Sequence, residues 1–150
     1  MYDDILVPTD GSPAATAAID HAISLAKTYD ATVHALYVVD ASAFSSIEAG
    51  SELVIDALEE EGQHAVEEIT AAAEAAGIDV VTHVVSGTAY RRILDYVDDE
   101  GIDLIVMGTH GRSGVERFLL GSVTERVVRT ADVPVLTIRQ GGKDEGEDGE

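Results

Sequence analysis

The chain predicts an α/β fold: an open, five-stranded parallel sheet in the order 3-2-1-4-5, with helices on both faces. Three observations predict it. Short apolar runs rich in Val, Ile and Leu alternate with stretches of helical periodicity along the 150 residues. Strands that alternate with helices call for parallel pairing through right-handed crossovers. Two of the runs end in polar, glycine-containing loops, Pro8-Thr9-Asp10-Gly11-Ser12 and Gly108-Thr109-His110-Gly111. Such sheets bind ligands beyond the carboxyl ends of their strands, where strand order reverses, so these two runs belong side by side at the centre.

Ile5-Leu6-Val7-Pro8 is the first buried strand, closed by Thr9-Asp10-Gly11. Ser12 is an N-cap and Pro13 a first helical residue, opening a helix to about Tyr29. Its apolar stripe is Ala15, Ala18, Ile19, Ala22, Leu25 and Ala26. Thr32 to Val39 is the second strand, and an irregular connection of small polar residues follows over 40–50. A long acidic helix runs from about Glu52 to Ala76, with Leu58, Ala65, Ile69, Ala72 and Ala76 inward and Gly77 as C-cap. Gly62 either kinks this helix or marks a late start. Val80 to Val85 is the third strand, Thr88 to Asp99 the third helix and Leu104 to Met107 the fourth strand. Ser122-Val123-Thr124-Glu125 reads as a capping box that starts a helix reaching Thr130. Val135 to Ile138 is the fifth strand. Residues 141–150 hold four glycines and five acids and no apolar side chain, which predicts a disordered acidic tail behind a single domain over 1–140.

Charge excludes several partners. Nine basic residues against 29 acidic ones give a net −20. That field repels nucleic acid, whose binding needs Lys and Arg to displace counterions. It also costs self-repulsion, which concentrated salt screens, since the Debye length falls to ~3 Å at 1 M. A halophilic host is the expectation. No apolar run approaches the ~20 residues of a membrane span, so no membrane partner is expected. There is no cysteine, and Met1-Tyr2-Asp3-Asp4 lacks the basic start of a signal peptide, which predicts a cytoplasmic protein.

A strand, a glycine loop and a helix N-terminus in succession make an anion site, because free N–H groups and the helix dipole both favour phosphate. Gly108 and Gly111 open the loop, and Gly121 lets the chain pass close to phosphates. Ser122 and Thr124 offer hydroxyls, and Arg112 is a cation suited to bidentate contact. A helix N-terminus supplies only ~0.3–1 kcal/mol per anion, so Mg²⁺ is expected to share the neutralisation. The plainer alternative is that these glycines only shape a tight loop and Ser122 only caps a helix. Asp10 is read as an acceptor for ligand hydroxyls, with nucleophile and metal ligand as alternatives. His110 is an exposed loop histidine or a general base. His21, His34, His64 and His83 lack metal-ligand spacing and are read as surface or boundary residues. No G-x-x-x-x-G-K-[ST] motif is present, and no G-x-G-x-x-G follows the first strand. The acid and lysine positions of a phospho-receiver domain are missing too.

Val7-Pro8-Thr9-Asp10-Gly11-Ser12, the strand end Val38-Val39-Asp40 and the spaced set Gly108, Gly111, Gly121-Ser122 resemble the universal stress protein family over about residues 2–139. The glycine set resembles that family's ATP-binding branch. The resemblance implies a Rossmann-like, adenine nucleotide alpha hydrolase-like domain holding ATP, with Mg²⁺, between strands one and four. It implies that Asp10 meets the adenosine portion, with Pro8, Thr9 and Val38 around base and ribose. Met107, Gly108, Gly111, Arg112, Gly121, Ser122, Val123 and Thr124 would line ribose and phosphates. It further implies a homodimer through Val133 to Arg139. That apolar edge invites pairing on its own account, with Pro134 limiting the hydrogen bonding at its start. The expected action is regulatory, in a stress response. No base and water-positioning pair is identifiable, so no catalytic residue is assigned and slow ATP hydrolysis is the most expected of it. A nucleotide-independent dimeric interaction module and a slow adenine-nucleotide hydrolase remain as alternatives.

Overall fold

The strands β1 (Asp4–Thr9), β2 (Thr32–Val39), β3 (Val80–Ser86), β4 (Leu104–Gly108) and β5 (Val135–Ile138) form one sheet in the order β3-β2-β1-β4-β5. Every pairing is parallel. This is the order expected from the two glycine-bearing strand ends. The computed structural model describes residues 1–40, 52–109 and 121–139. The expected connection over 40–50 beyond Asp40, the acidic tail over 141–150, and His110, Gly111 and Arg112 lie outside the described residues.

Helices α1 (Pro13–Tyr29) and α2 (Glu52–Ala75) cover one face, and α3 (Ala89–Glu100) and α4 (Ser122–Thr130) the other. Successive strand residues point to opposite faces, and here both faces are buried. Ile5, Val7, Val33 and Ala35 pack against Ala18, Ala22 and Ile69 of α1 and α2. Leu6, Leu36 and Ile105 pack against Ile93, Val97 and Val127 of α3 and α4. This two-sided burial explains why the strands read as continuous apolar runs.

Ser12 caps α1 as expected: its Oγ accepts from the Ala15 N–H at 3.3 Å, with Pro13 next in the first turn. Leu25 is only half-buried, while Ala14 joins the buried stripe. In α2, Leu58, Ala65 and Ile69 are buried, but Val66 and Ala73 take the deep positions in place of Ala72 and Ala76, which are half-buried. The helix runs unbroken through Gly62, so it does not start late. Gly62 is there for packing, since a Cβ at this position would lie 2.6 Å from Cδ1 of buried Tyr37.

Two helix starts differ from expectation. The N-cap of α4 is Gly121, whose carbonyl accepts from the Glu125 N–H at 2.9 Å, and among the described residues no side chain caps the helix. Ser122 is thus its first helical residue, and the capping box does not form. At α3 the cap residue Thr88 makes no side-chain bond either. Instead Asp40, at the end of β2, accepts from the Ala89 N–H at 2.9 Å through Oδ2.

His34 also departs from the boundary position expected for it. It is buried, with Nε2 2.9 Å from Asp4 Oδ1 and Nδ1 2.8 Å from the Tyr96 hydroxyl. The same hydroxyl lies 3.1 Å from Nδ1 of His83, so one polar chain ties β1, β2 and β3 to α3. Among the described residues no helix is long and apolar enough to cross a membrane.

Candidate functional site

Hydrogen-bonded pairing between β1 and β4 stops short of the strand ends, and a proline accounts for it. The Asp3 carbonyl accepts from Thr32 of β2, and the Asp4 carbonyl accepts from Asp103, just before β4. Even-numbered residues of β1 therefore turn their backbone groups towards β4, and odd-numbered ones towards β2. Pro8 is even-numbered and has no N–H to give. Registered pairing of β1 with β4 stops at Leu6↔Ile105, although β4 runs on to Gly108 and stays paired with β5 to its end. Pairing of β1 with β2 continues to Thr9↔Tyr37. Hydrogen-bonded pairing of β1 thus stops early on one side only.

The loop beyond β1 is held by its own side chains. Asp10 Oδ1 accepts from the Ser12 N–H at 2.9 Å, and Thr9 Oγ1 accepts from the Gly11 N–H at 3.1 Å. Gly11 has φ +79°, a left-handed conformation that suits glycine. This turn delivers Ser12 to the start of α1, beside β4. Gly108 makes that closeness possible, because a Cβ on it would sit 2.8 Å from the Cβ of Ala14.

On the other wall, the Thr109 N–H donates to the Ile138 carbonyl at 3.0 Å. The Gly121 N–H donates to the Thr109 carbonyl at 2.6 Å, so the chain leaves β4 and returns at a single point. Thr124, buried in the first turn of α4, donates its hydroxyl to the Gly108 carbonyl at 2.8 Å. The start of α4 is thereby pinned to the end of β4.

Pro8, Thr9 and Asp10 of the first strand end, Met107 and Gly108 of the fourth, and Gly121, Ser122, Val123 and Thr124 are brought to the same end of the sheet. Pro8, Met107, Gly108 and Thr124 are buried, Thr9, Asp10, Val38, Gly121 and Val123 half-buried, and Ser122 exposed. Val38 sits near the end of β2, where it and Val123 pack on the α3–α4 side of the sheet. Gly111 and Arg112 lie outside the described residues. Just over one turn into α4, the Arg126 guanidinium lies 4.1 Å from the ring centre of Tyr90, and Arg91 Nε donates to the Tyr90 hydroxyl at 3.2 Å. The hydrogen bond from Arg91, aided by both positive charges, holds the Tyr90 phenol below its ordinary range. The sequence reading missed this cationic contact and the Asp40 cap, because each joins residues of separate elements.

The model of the universal stress protein family matches residues 1–139. The chain belongs to the universal stress protein family. It is 44% identical over 146 residues to universal stress protein MJ0531 of Methanocaldococcus jannaschii, covering 96% of this chain and 86% of the relative. The solved structure of MJ0577, from the same organism, superposes with a TM-score of 0.81 at 35% identity, covering 92% of this chain and 96% of that one. A universal stress protein solved in complex with cAMP superposes with a TM-score of 0.71 at 25% identity, covering 93% and 99%. An adenine nucleotide is thus held within the family, by that relative. In this universal stress protein domain the strand ends bring side-chain acceptors on the β1 side and backbone helix amides on the β4 side to one end of the sheet.

Proposed function

We propose that this universal stress protein binds ATP in the crevice between β1 and β4 and acts as a nucleotide-dependent regulatory homodimer. The observation that carries the reading is the start of α4. Its cap is a glycine, no side chain among the described residues caps it, and it is fastened to the end of β4, beyond the point where pairing with β1 stops. First-turn amides left without a capping side chain, at the positive end of a helix dipole, suit phosphate. The spacing of Gly108, Gly111 and Gly121-Ser122 resembles that of the family's ATP-binding branch, which supports the reading. The relative that holds cAMP supports an adenine nucleotide.

In this reading Asp10 accepts from ribose hydroxyls, and Pro8, Thr9 and Val38 surround base and ribose. Met107, Gly108, Gly111, Arg112, Gly121, Ser122, Val123 and Thr124 line ribose and phosphates. Among the described residues no three His, Asp or Glu side chains gather to hold a metal. Were Mg²⁺ to accompany the nucleotide, it would share the neutralisation of the phosphate charge. In this reading occupancy rather than turnover is the signal.

The dimer forms through Val133 to Arg139. In β5 the Pro134 and Ile138 carbonyls accept from Ile105 and Thr109 on the β4 side. The missing N–H of Pro134 is thus lost on the inner side, and Val135 and Thr137 keep complete outward-facing backbone groups. Leu136 is 37% exposed beside them. The domain spans 1–140 with the acidic tail behind it, works in the cytoplasm of a halophile, and has neither nucleic acid nor membrane as partner.

The test is the nucleotide content of the freshly purified protein, released by denaturation and identified by mass. Near-stoichiometric ATP supports the proposal, and ADP in its place raises slow hydrolysis. An empty protein that also ignores Mg-ATP in molar-KCl calorimetry overturns it. One observation favours the second reading, a nucleotide-independent interaction module: Ala14 alone already demands glycine at 108. Gly121→Val separates the two, since it obstructs the phosphate path and leaves a module working.

A further inference from the structure

The border of the sheet opposite β5 is β3. It pairs with β2 at every position from Val33↔Val80 to Val39↔Ser86, and no other described strand pairs with it. The Val33 N–H donates to the Asp79 carbonyl, and the Gly87 N–H donates to the Val39 carbonyl. In a parallel ladder this assigns the odd-numbered residues of β3 to β2. The N–H and C=O groups of Val80, Thr82, Val84 and Ser86 therefore point outward. Natural edges are blunted by proline, charge or bulges. The segment Val80-Val81-Thr82-His83-Val84-Val85-Ser86 has no proline, Lys, Arg or acid, and its one-to-one register has no bulge.

What flanks this edge comes from α2. Asp56, Glu59, Glu60 and Gln63 line an open groove of about 470 Å³ together with Val84. The two sides of the edge differ. Val80 and Val84 belong with the α1–α2 face, and Val84 lies next to those carboxylates. Val85 belongs with the α3–α4 face, as do Val81 and His83 by alternation, and Val81 is 39% exposed there. A second copy of this chain is a poor occupant, because it would bring its own carboxylates into the groove on top of a net charge of −20.

We propose that the β3 edge is a docking site for an extended segment of another protein, which adds as a sixth strand and alternates basic with apolar residues. Main-chain bonds to Val80, Thr82, Val84 and Ser86 hold the segment. Lysine or arginine at every second position meets Asp56, Glu59 and Glu60. The apolar residues between them cover Val81. The carboxylates thereby turn away acidic chains and admit a basic one.

The full chain is titrated, in the lowest KCl that keeps it folded, with a capped Lys-Val-Lys-Val-Lys-Val-Lys peptide. Controls are its Glu-for-Lys counterpart and a peptide of the same composition with lysines and valines grouped. Binding is followed by calorimetry and backbone amide shifts. The alternating lysine peptide is expected to bind saturably, with shifts over residues 80–86 and α2, while both controls bind at least ~10-fold more weakly. Thr82→Pro is expected to weaken it ~10-fold or more, because the lost N–H faces outward and the β2 ladder stays whole. Glu59→Lys with Glu60→Lys changes only exposed side chains and is expected to switch preference to the glutamate peptide. The proposal is overturned if the lysine peptide does not bind, if the grouped peptide binds equally, if the double charge variant keeps the original preference, or if the shifts centre on Val135–Ile138.

Discussion

Gly108 and Ala14 meet so closely that no side chain fits between them. A Cβ on Gly108 would lie 2.8 Å from both the carbonyl carbon and the Cβ of Ala14, and 2.9 Å from its carbonyl oxygen. The end of β4 and the start of α1 thus form one packed wall of the crevice. Gly108→Ala is expected to lower stability by ~1–3 kcal/mol through overpacking. Two of the three facing atoms are backbone, so adding Ala14→Gly should restore only part of the loss. Denaturant midpoints of the single and double variants decide the matter. An unchanged midpoint for Gly108→Ala would mean that β4 and α1 can separate freely.

Gly62 plays the same part on α2. Alanine in a helix interior gains up to ~1 kcal/mol over glycine, so propensity alone would favour Gly62→Ala. The new Cβ would lie 2.6 Å from Tyr37 Cδ1 and 3.0 Å from Cγ, and Tyr37 is buried. Those atoms are next to the ring's attachment and cannot swing away cheaply. Net destabilisation by ~1–2 kcal/mol is expected, because overpacking exceeds the propensity gain. Combining it with Tyr37→Leu should cost less than the sum of the two single changes. Strict additivity in that cycle would refute the contact.

Element order and strand order were legible because they rest on local signals: apolar runs long enough for strands, Ser12-Pro13 at a helix start, and polar glycine loops after the first and fourth runs. Ser122 misled because a capping box needs its first residue outside the helix. The Gly121 carbonyl accepts from the Glu125 N–H, which gives that role to Gly121. His34 could not be placed from sequence, since its partners lie 30 residues before it at Asp4 and 62 after it at Tyr96. The work of Pro8 was half visible. A proline ending a strand can be read directly, but which neighbour loses the N–H depends on the sheet's register. The early end of the β1–β4 ladder is therefore a tertiary fact written by one local residue.

Thr124 links stability to the site. Its buried hydroxyl donates to the Gly108 carbonyl at 2.8 Å. Thr124→Val keeps the shape and leaves that carbonyl without its donor, which costs ~1–3 kcal/mol for a buried group. Thr124→Ser keeps the bond and should lose less. Thermal midpoints rank the three proteins in the order wild type, serine, valine. Equal midpoints for serine and valine would assign the loss to packing instead.

Salt should stabilise this protein over an unusual range. A net −20 on 150 residues repels itself at low ionic strength. Screening shortens the Debye length from ~10 Å at 0.1 M to ~3 Å at 1 M. The melting temperature is expected to climb between dilute and molar KCl, and replacing exposed acids of α2 by glutamine should flatten the climb. A melting temperature that is level across that range would remove the argument for a halophilic host.

Tyr96 provides the pH-dependent prediction. A carboxylate only accepts, so with His34 neutral its Nε2–H donates to Asp4, and Nδ1 accepts the Tyr96 hydroxyl. The Tyr96 oxygen in turn accepts from Nδ1–H of His83. Burial above all, with the negative charges of Glu100 and Asp4, pushes the Tyr96 phenol up to about 12, from an ordinary value of 10.0. The folded state therefore holds this proton more tightly than the unfolded state. The stability it contributes is complete below pH ~10 and is lost as pH rises from there through ~12. Tyr96→Phe should be less stable than wild type at neutral pH, because Nδ1 of buried His34 loses its donor. The gap should then narrow as pH climbs through that window, since phenylalanine has no proton to lose. Urea midpoints of both proteins from neutral to strongly alkaline pH give the comparison, in which titration of the other tyrosines cancels. Curves that stay parallel across the window would show that the Tyr96 proton is held no more tightly in the folded protein than in the unfolded chain.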